Sequence, residues 1–409
     1  MPVGFGLKNG DLDFSFPFRK LRFIIYATQN TESCNKKPSN PFILTGCYSP
    51  EYFYGRNEEF AKLSEAIKNE RNVTLFSLRR LGKTALIQHL FHFLEKDNHF
   101  ITLYVDILST DSLQNLTQKI ATSVVRKFGS IEKRGLTKKI QDFIRNIGAG
   151  IEFDPVSGNP SIKFSYADYD QSKLSLQTIL DFLSKQKQTV VIALDEFHQI
   201  TRYQEDSPEA FIRSLVQEFP GIRFIFSGSH RNIMISLFTG PGQPFYRSTQ
   251  IFELLNIHPD EYSHFIKYHL KKDNKIIEQE AINRIFDWTN LQTYYVQLVC
   301  NRLYSSYENI SMELVNDTFL KILEEEQTVF SNYRNLLTFV QWRVLVALSK
   351  DAPVSEPTSG SFLRKHNISS TSTMSTAIKA LQEKELIIKL KGQYIIHDTL
   401  LMRWIQQNF

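Results

Sequence analysis

The sequence predicts an α/β fold built on a parallel sheet, then an all-helical region, then a C-terminal unit of helices and a β-ribbon. Three observations predict it. Apolar, β-branched runs alternate with helical patterns from residue 58 to residue 252, the order that builds a parallel sheet with right-handed crossovers. Gly82-Lys83-Thr84 stands where one such run turns into a helix. A later run ends in Asp195-Glu196.

The elements follow in order. Residues 1–39 are rich in Gly, Pro, Asn, Ser and Phe without a sustained period and are expected to form a poorly ordered extension, or to be translated from an upstream start. Residues 58–69 read as an amphipathic helix and 72–76 as a buried strand. Residues 85–95 carry Leu86, Ile87, Leu90, Phe91 and Leu94 at helical spacing. A strand is expected at 101–107, helices at 113–128 and 136–147, a β-hairpin within 148–169, and a helix at 174–185. Strands at 189–194 and 223–227 flank a helix at 209–218, and from 252 to about 350 the pattern is wholly helical.

The first junction has the chemistry of a phosphate-binding loop. A helix starting at Gly82 aims its free N–H groups and positive dipole end into the loop Ser77-Leu78-Arg79-Arg80-Leu81-Gly82-Lys83-Thr84-Ala85. Lys83 is expected to reach the β- and γ-phosphates of a bound nucleotide, and the Thr84 hydroxyl to ligate Mg2+. Ser77 replaces the usual first glycine, and small size is the main requirement there. An apolar strand ending in Asp195-Glu196 supplies the second half, Asp195 for the metal and Glu196 to orient or deprotonate water. Ser229, after the next strand, either senses the γ-phosphate or caps a helix. Arg231 and Arg247 are candidate arginine fingers, or solvated surface groups.

Composition bounds the rest. With 409 residues, two or three domains are expected. No apolar run approaches a membrane span, and the segment 21–27 is too short and lacks a cleavage site. Three widely spaced cysteines (Cys34, Cys47, Cys300) form no metal or disulfide pattern, which favours a cytoplasmic setting. The net charge of +5 mildly favours acidic partners.

Around these motifs the chain resembles a family of bacterial ATPases related to the archaeal ATPases of the AAA+/STAND-like group. The residues that carry the resemblance begin with 40–46 and 49–53, then Arg56-Asn57-Glu58, Asn72-Val73-Thr74-Leu75, Arg79-Arg80-x-Gly82-Lys83-Thr84 and 194–200. They continue through 223–229, Arg231, Pro244-Phe245-Tyr246 and 293–297. The resemblance implies a P-loop NTPase core of ASCE/AAA+ type over 40–252, a helical lid over 253–334 and a winged helix over 335–409. It also implies adenine as the base and tolerance of a small residue at Ser77.

The tail has its own logic: helices at 337–349 and 359–366, a turn, a helix at 370–384, and strands at 386–390 and 393–397. This is the order of a winged helix. Ser370, Thr371, Ser372, Thr373, Ser375 and Thr376 would line the exposed start of a recognition helix, with Arg364, Lys365, Lys389 and Lys391 nearby. Duplex DNA and a protein partner both fit. The functional expectation is a nucleotide-dependent molecular switch that hydrolyses ATP; the alternative is a nucleotide-regulated DNA-binding or scaffold protein with little hydrolysis.

Overall fold

The computed structural model describes residues 38–44, 50–129, 138–153, 160–164 and 168–409. Residues 1–37, Cys34 and Cys47, and the motif positions Thr45, Gly46 and Ser49 lie outside the described residues.

The core alternates as the sequence suggests: α1 (Asn57–Lys68), β1 (Val73–Phe76), α2 (Lys83–Lys96), β2 (Phe100–Asp106), α3 (Leu113–Phe128) and α4 (Lys138–Asn146). A hairpin of β3 (Ala149–Phe153) and β4 (Pro160–Phe164) follows, then α5 (Tyr169–Ser184), β5 (Thr189–Asp195), α6 (Pro208–Glu218), β6 (Ile222–Gly228), α7 (Arg231–Thr239) and β7 (Gln250–Glu253). The five-stranded sheet has the order β2-β5-β6-β1-β7, and all its pairings are parallel. Strand β6 therefore separates the loop strand β1 from the Asp195 strand β5.

Side-chain alternation along each strand sorts the helices onto two faces. Val190, Ile192 and Leu194 point into a core shared with α3, α4, α5, α6 and α7. Val191 and Ala193, with Val73, Leu75 and Ile225, point to the opposite face, which α1 and α2 cover. Strand β7 was not expected. It is short and half-exposed, and it adds to the free edge of β1 with Val73 opposite Gln250.

After the sheet come α8 (Pro259–Lys272), α9 (Gln279–Thr289), α10 (Thr293–Ser306), α11 (Met312–Leu336), α12 (Phe339–Asp351), α13 (Gly360–Lys365), α14 (Thr371–Glu383) and α15 (Thr399–Asn408). Two further features were not expected. A parallel pair, β8 (Ile276–Ile277) with β9 (Asn309–Ile310), ties α8 to α11, and α15 follows the ribbon of β10 (Ile387–Leu390) and β11 (Gln393–Ile396). One continuous core runs from Phe42 through α8–α11 to the winged helix, with Trp288 stacked on Phe319 and Phe330 against Trp404.

Two histidines are packed among aromatic rings, His89 stacked on Phe53 and His269 stacked on Tyr52. Burial pushes both imidazoles down to about 4, with Lys96 and His92 adding for His89 and Lys272 for His269. Because the folded pKa lies below the unfolded value near 6.5, their contribution is complete above that pH and is lost as pH falls toward 4. Unfolding in denaturant at pH 7 and pH 4.5 should show a loss of about 2 kcal/mol from the pair, discounted for partial solvation. The double change His89→Gln and His269→Gln should flatten that dependence.

Candidate nucleotide site

The phosphate loop joins β1 to α2 at the carboxyl end of the sheet. Gly82 is the N-cap of α2 with φ of +90°. Nothing lies within 4 Å of where its Cβ would stand, so the demand for glycine is one of backbone conformation. Ser77 is 1% exposed; its Oγ donates to the Leu78 carbonyl at 2.6 Å and accepts from Lys83 Nζ at 3.2 Å. A larger side chain would have to displace this packing. Leu81 is buried in the α1–α2 core and Leu78 packs against it, which anchors the loop from within. Ala85 and Thr84 lie in the first turn of α2, where the free N–H groups are.

Arg56 pins the loop from outside. It is 2% exposed and donates to the Leu81 carbonyl at 3.0 Å and the Leu255 carbonyl at 2.6 Å, while pairing with Glu59 at 2.8 Å. The planar guanidinium fork spreads these three bonds over its two terminal nitrogens. Arg56→Ala leaves buried carbonyls unpaired and should cost about 3 kcal/mol, read as a lower denaturant midpoint; Arg56→Lys should recover only part.

The acidic pair meets this loop across β6. Asp195, 2% exposed, accepts from Thr84 Oγ1 at 2.7 Å and Tyr104 OH at 2.6 Å through Oδ2, and from Ser227 Oγ through Oδ1. Thr84 and Asp195 thus converge, and their hard oxygens suit a magnesium ion. Glu196 has φ of +58°, and its Oε2 accepts from the Ser229 N–H at 2.9 Å and Ser229 Oγ at 2.8 Å. His198 Nδ1 lies 3.3 Å from the same oxygen, outside hydrogen-bond angle. Burial alone would raise the Glu196 carboxyl, but His198, Lys83 and the Ser229 donors outweigh it and bring it to about 2. Lys83, 6% exposed, is held below its ordinary pKa by burial, against the pull of Glu196 and Asp195.

The structure brings Ser77, Lys83, Thr84, Asp195, Glu196 and Ser229 together. Ser229 does not cap α7, whose N-cap is His230; its side chain is spent on Glu196. Arg231 makes a two-bonded pair with Glu253 at 2.7 and 3.3 Å and lies over the Phe76 ring. Arg247 is exposed and rests over the Tyr246 ring. The roles of Tyr104, Ser227 and Arg56 had no local signal. Each acts through a partner 25 or more residues away.

Arg79 and Arg80 leave the loop outward, toward the winged helix. Arg79 pairs with Glu385 at 2.7 Å and Arg80 with Asp398 at 2.7 Å. Arg80, with φ of +68°, also lies over the Tyr295 ring, and its carbonyl accepts from the Tyr294 N–H at 3.0 Å. Asp398 caps α15 through the Leu400 and Leu401 N–H groups and takes the Tyr295 hydroxyl.

A family model for an "ATPase domain predominantly from Archaea" matches residues 53–237. A second, for a "probable winged helix domain", matches residues 328–407. The chain carries an archaeal-type ATPase domain followed by a winged helix. Solved structures share this fold at low identity. A Walker-type ATPase of Pyrococcus abyssi matches with a TM-score of 0.61 at 14% identity, over 90% of this chain and 99% of that one. The Aeropyrum pernix ORC2 protein, in ADPNP–ADP complexes, matches at 0.53 and 14%, over 86% and 93%. The Aeropyrum pernix ORC1 protein in complex with DNA matches at 0.51 and 12%, over 90% and 97%. No functionally curated protein matches the sequence. The archaeal-type ATPase domain thus places the loop and the acidic pair in a P-loop nucleotide-binding fold. No helix among the described residues is long and apolar enough to cross a membrane.

Proposed function

We propose that the chain binds ATP with Mg2+, hydrolyses it slowly, and couples the state of the phosphate loop to its winged helix. The observation that carries the reading is the convergence of Lys83, Thr84, Asp195 and Glu196 on one end of the sheet. The loop N–H groups and Lys83 would hold the phosphates, and Thr84 with Asp195 would hold the metal. Magnesium, when bound, offsets charge on the β- and γ-phosphate oxygens. Glu196 would take the proton of the attacking water, once released from the Ser229 donors that now occupy it. Ser229 is then placed to respond to the γ-phosphate. Arg231 serves as a finger only if it leaves Glu253. Residues 40–252 form the catalytic unit, 253–334 the lid and 335–409 the winged helix.

The coupling follows from Arg79 and Arg80, which belong to the loop but pair with winged-helix carboxylates. Phosphate release from ATP by the full chain, with and without EDTA, tests the activity. Metal-dependent release is expected, together with a thermal shift on ATP addition; neither appearing would overturn the reading.

A second reading, DNA binding, is favoured by the exposed Thr371, Ser372, Ser375, Thr376, Lys389 and Lys391 at the start of α14 and on the ribbon. Lys365 is less available, since it pairs with Asp351 at 2.6 Å. A salt-dependent shift of labelled duplex DNA should weaken when Arg364, Lys365, Lys389 and Lys391 are changed together. An unchanged shift would sink this reading.

A further inference from the structure

We propose that Glu385, contributed by the winged helix, is a positioning residue of the nucleotide site that holds Arg79 of the phosphate loop away from a bound triphosphate. The proposal rests on the ATP-binding reading above and adds a means of regulating that site.

The two loop arginines are held very differently. Arg80 is locked: it meets Asp398, lies over two tyrosine rings, and has its own carbonyl bound by Tyr294. Arg79 is half-exposed, and its ion pair is to one carboxylate oxygen of Glu385. It is the releasable one.

Glu385 itself is firmly placed. It sits in the turn after α14 with φ of +55°, its N–H donates to the Gln382 carbonyl at 3.0 Å, and its carbonyl accepts from His397 Nδ1 at 3.0 Å. Its side chain is 17% exposed. One carboxylate oxygen meets Arg79 and the other meets His230 Nε2 at 3.2 Å. His230 directly follows Ser229, whose donors occupy Glu196. A single winged-helix carboxylate therefore bridges both walls of the site: the phosphate loop and the segment that holds Glu196.

Arg79 itself belongs to the phosphate loop, between Ser77 and Gly82, and Lys83 is the first residue of α2. A guanidinium set free on this loop would offer a planar fork to phosphate oxygens. The polyphosphate and Glu385 are then competing anions for one cation. With the winged helix docked, Glu385 wins and triphosphate binding is weakened; with the pair broken, Arg79 joins the loop as a second phosphate ligand.

The test is calorimetric titration of the full chain with ATPγS in the presence of magnesium. Glu385→Gln keeps the side-chain shape and removes the competing charge. It should tighten ATPγS binding by about tenfold, the worth of one charge-assisted hydrogen bond on this half-exposed group. Glu385→Ser should do the same if Gln impairs folding. The double variant Arg79→Gln/Glu385→Gln should bind as Arg79→Gln alone does. Unchanged or weaker binding by Glu385→Gln overturns the proposal, as does tightening that persists in the double variant. If wild type binds ATPγS and only these shifts fail, the ATP reading stands. If neither wild type nor Glu385→Gln gives binding heat, both fall.

Discussion

Glu196→Gln should bind ATP at least as tightly as wild type while its turnover falls by about 10²–10³-fold, the usual worth of a positioned general base. Gln is isosteric and still accepts from the Ser229 N–H and Oγ, so the local fold is preserved. It cannot take the proton of water. The present geometry adds a second expectation. With its carboxyl brought to about 2 by His198, Lys83 and Ser229 against the opposing effect of burial, Glu196 is ionised at every practical pH. It is also a weak base while those donors occupy it, because basicity falls with pKa. While those donors hold it, its protonation produces no acid limb in the rate profile above pH 4, well clear of that value. Ser229→Ala removes one donor and should raise the carboxyl pKa, bringing any acid limb closer to neutrality. Single-turnover phosphate release and ATP binding, measured on both variants across pH, check this. Equal turnover by wild type and Glu196→Gln would remove Glu196 from the chemistry.

Much of this was legible in the sequence because the signals are local. The strand–Gly-Lys-Thr–helix junction, the apolar run ending in Asp195-Glu196 and the alternating strand faces each lie within a dozen neighbouring residues. Strand β7 escaped notice because a four-residue edge strand with half its side chains exposed has too little apolar period. Helix α15 lies beyond the ribbon, and its start is set by Asp398, a cap that reads as a turn residue in isolation. The roles of Arg56, Tyr104 and Ser227 escaped for another reason: each depends on a distant partner that only the fold brings near. The same holds most strongly for Arg79 and Arg80. In sequence they are loop cations with no assigned direction, and the residues that fix them lie about 300 positions downstream, at Glu385 and Asp398.

Lys83→Met should abolish the thermal shift on ATP addition yet leave the nucleotide-free protein as stable as wild type or about 1 kcal/mol more stable. The two effects come from one fact. Lys83 is 6% exposed, and burial lowers its pKa further than Glu196 and Asp195 restore it. A folded-state pKa below the unfolded value means that the charged form is penalised by folding, so a neutral side chain of similar length relieves a cost. Its hydrogen-bonding tie is to Ser77 Oγ at 3.2 Å, a hydroxyl that also donates to the Leu78 carbonyl at 2.6 Å and so is not left unsatisfied. The ammonium is thus poorly served by the protein's own groups and well suited to phosphate, which is the arrangement expected of a group kept for binding. Thermal melts of both proteins with and without magnesium and ATP measure the two effects together. A marked fall in the nucleotide-free melting point would show that Lys83 is a structural partner of the acidic pair, and a retained ATP shift would show that the phosphates are held elsewhere.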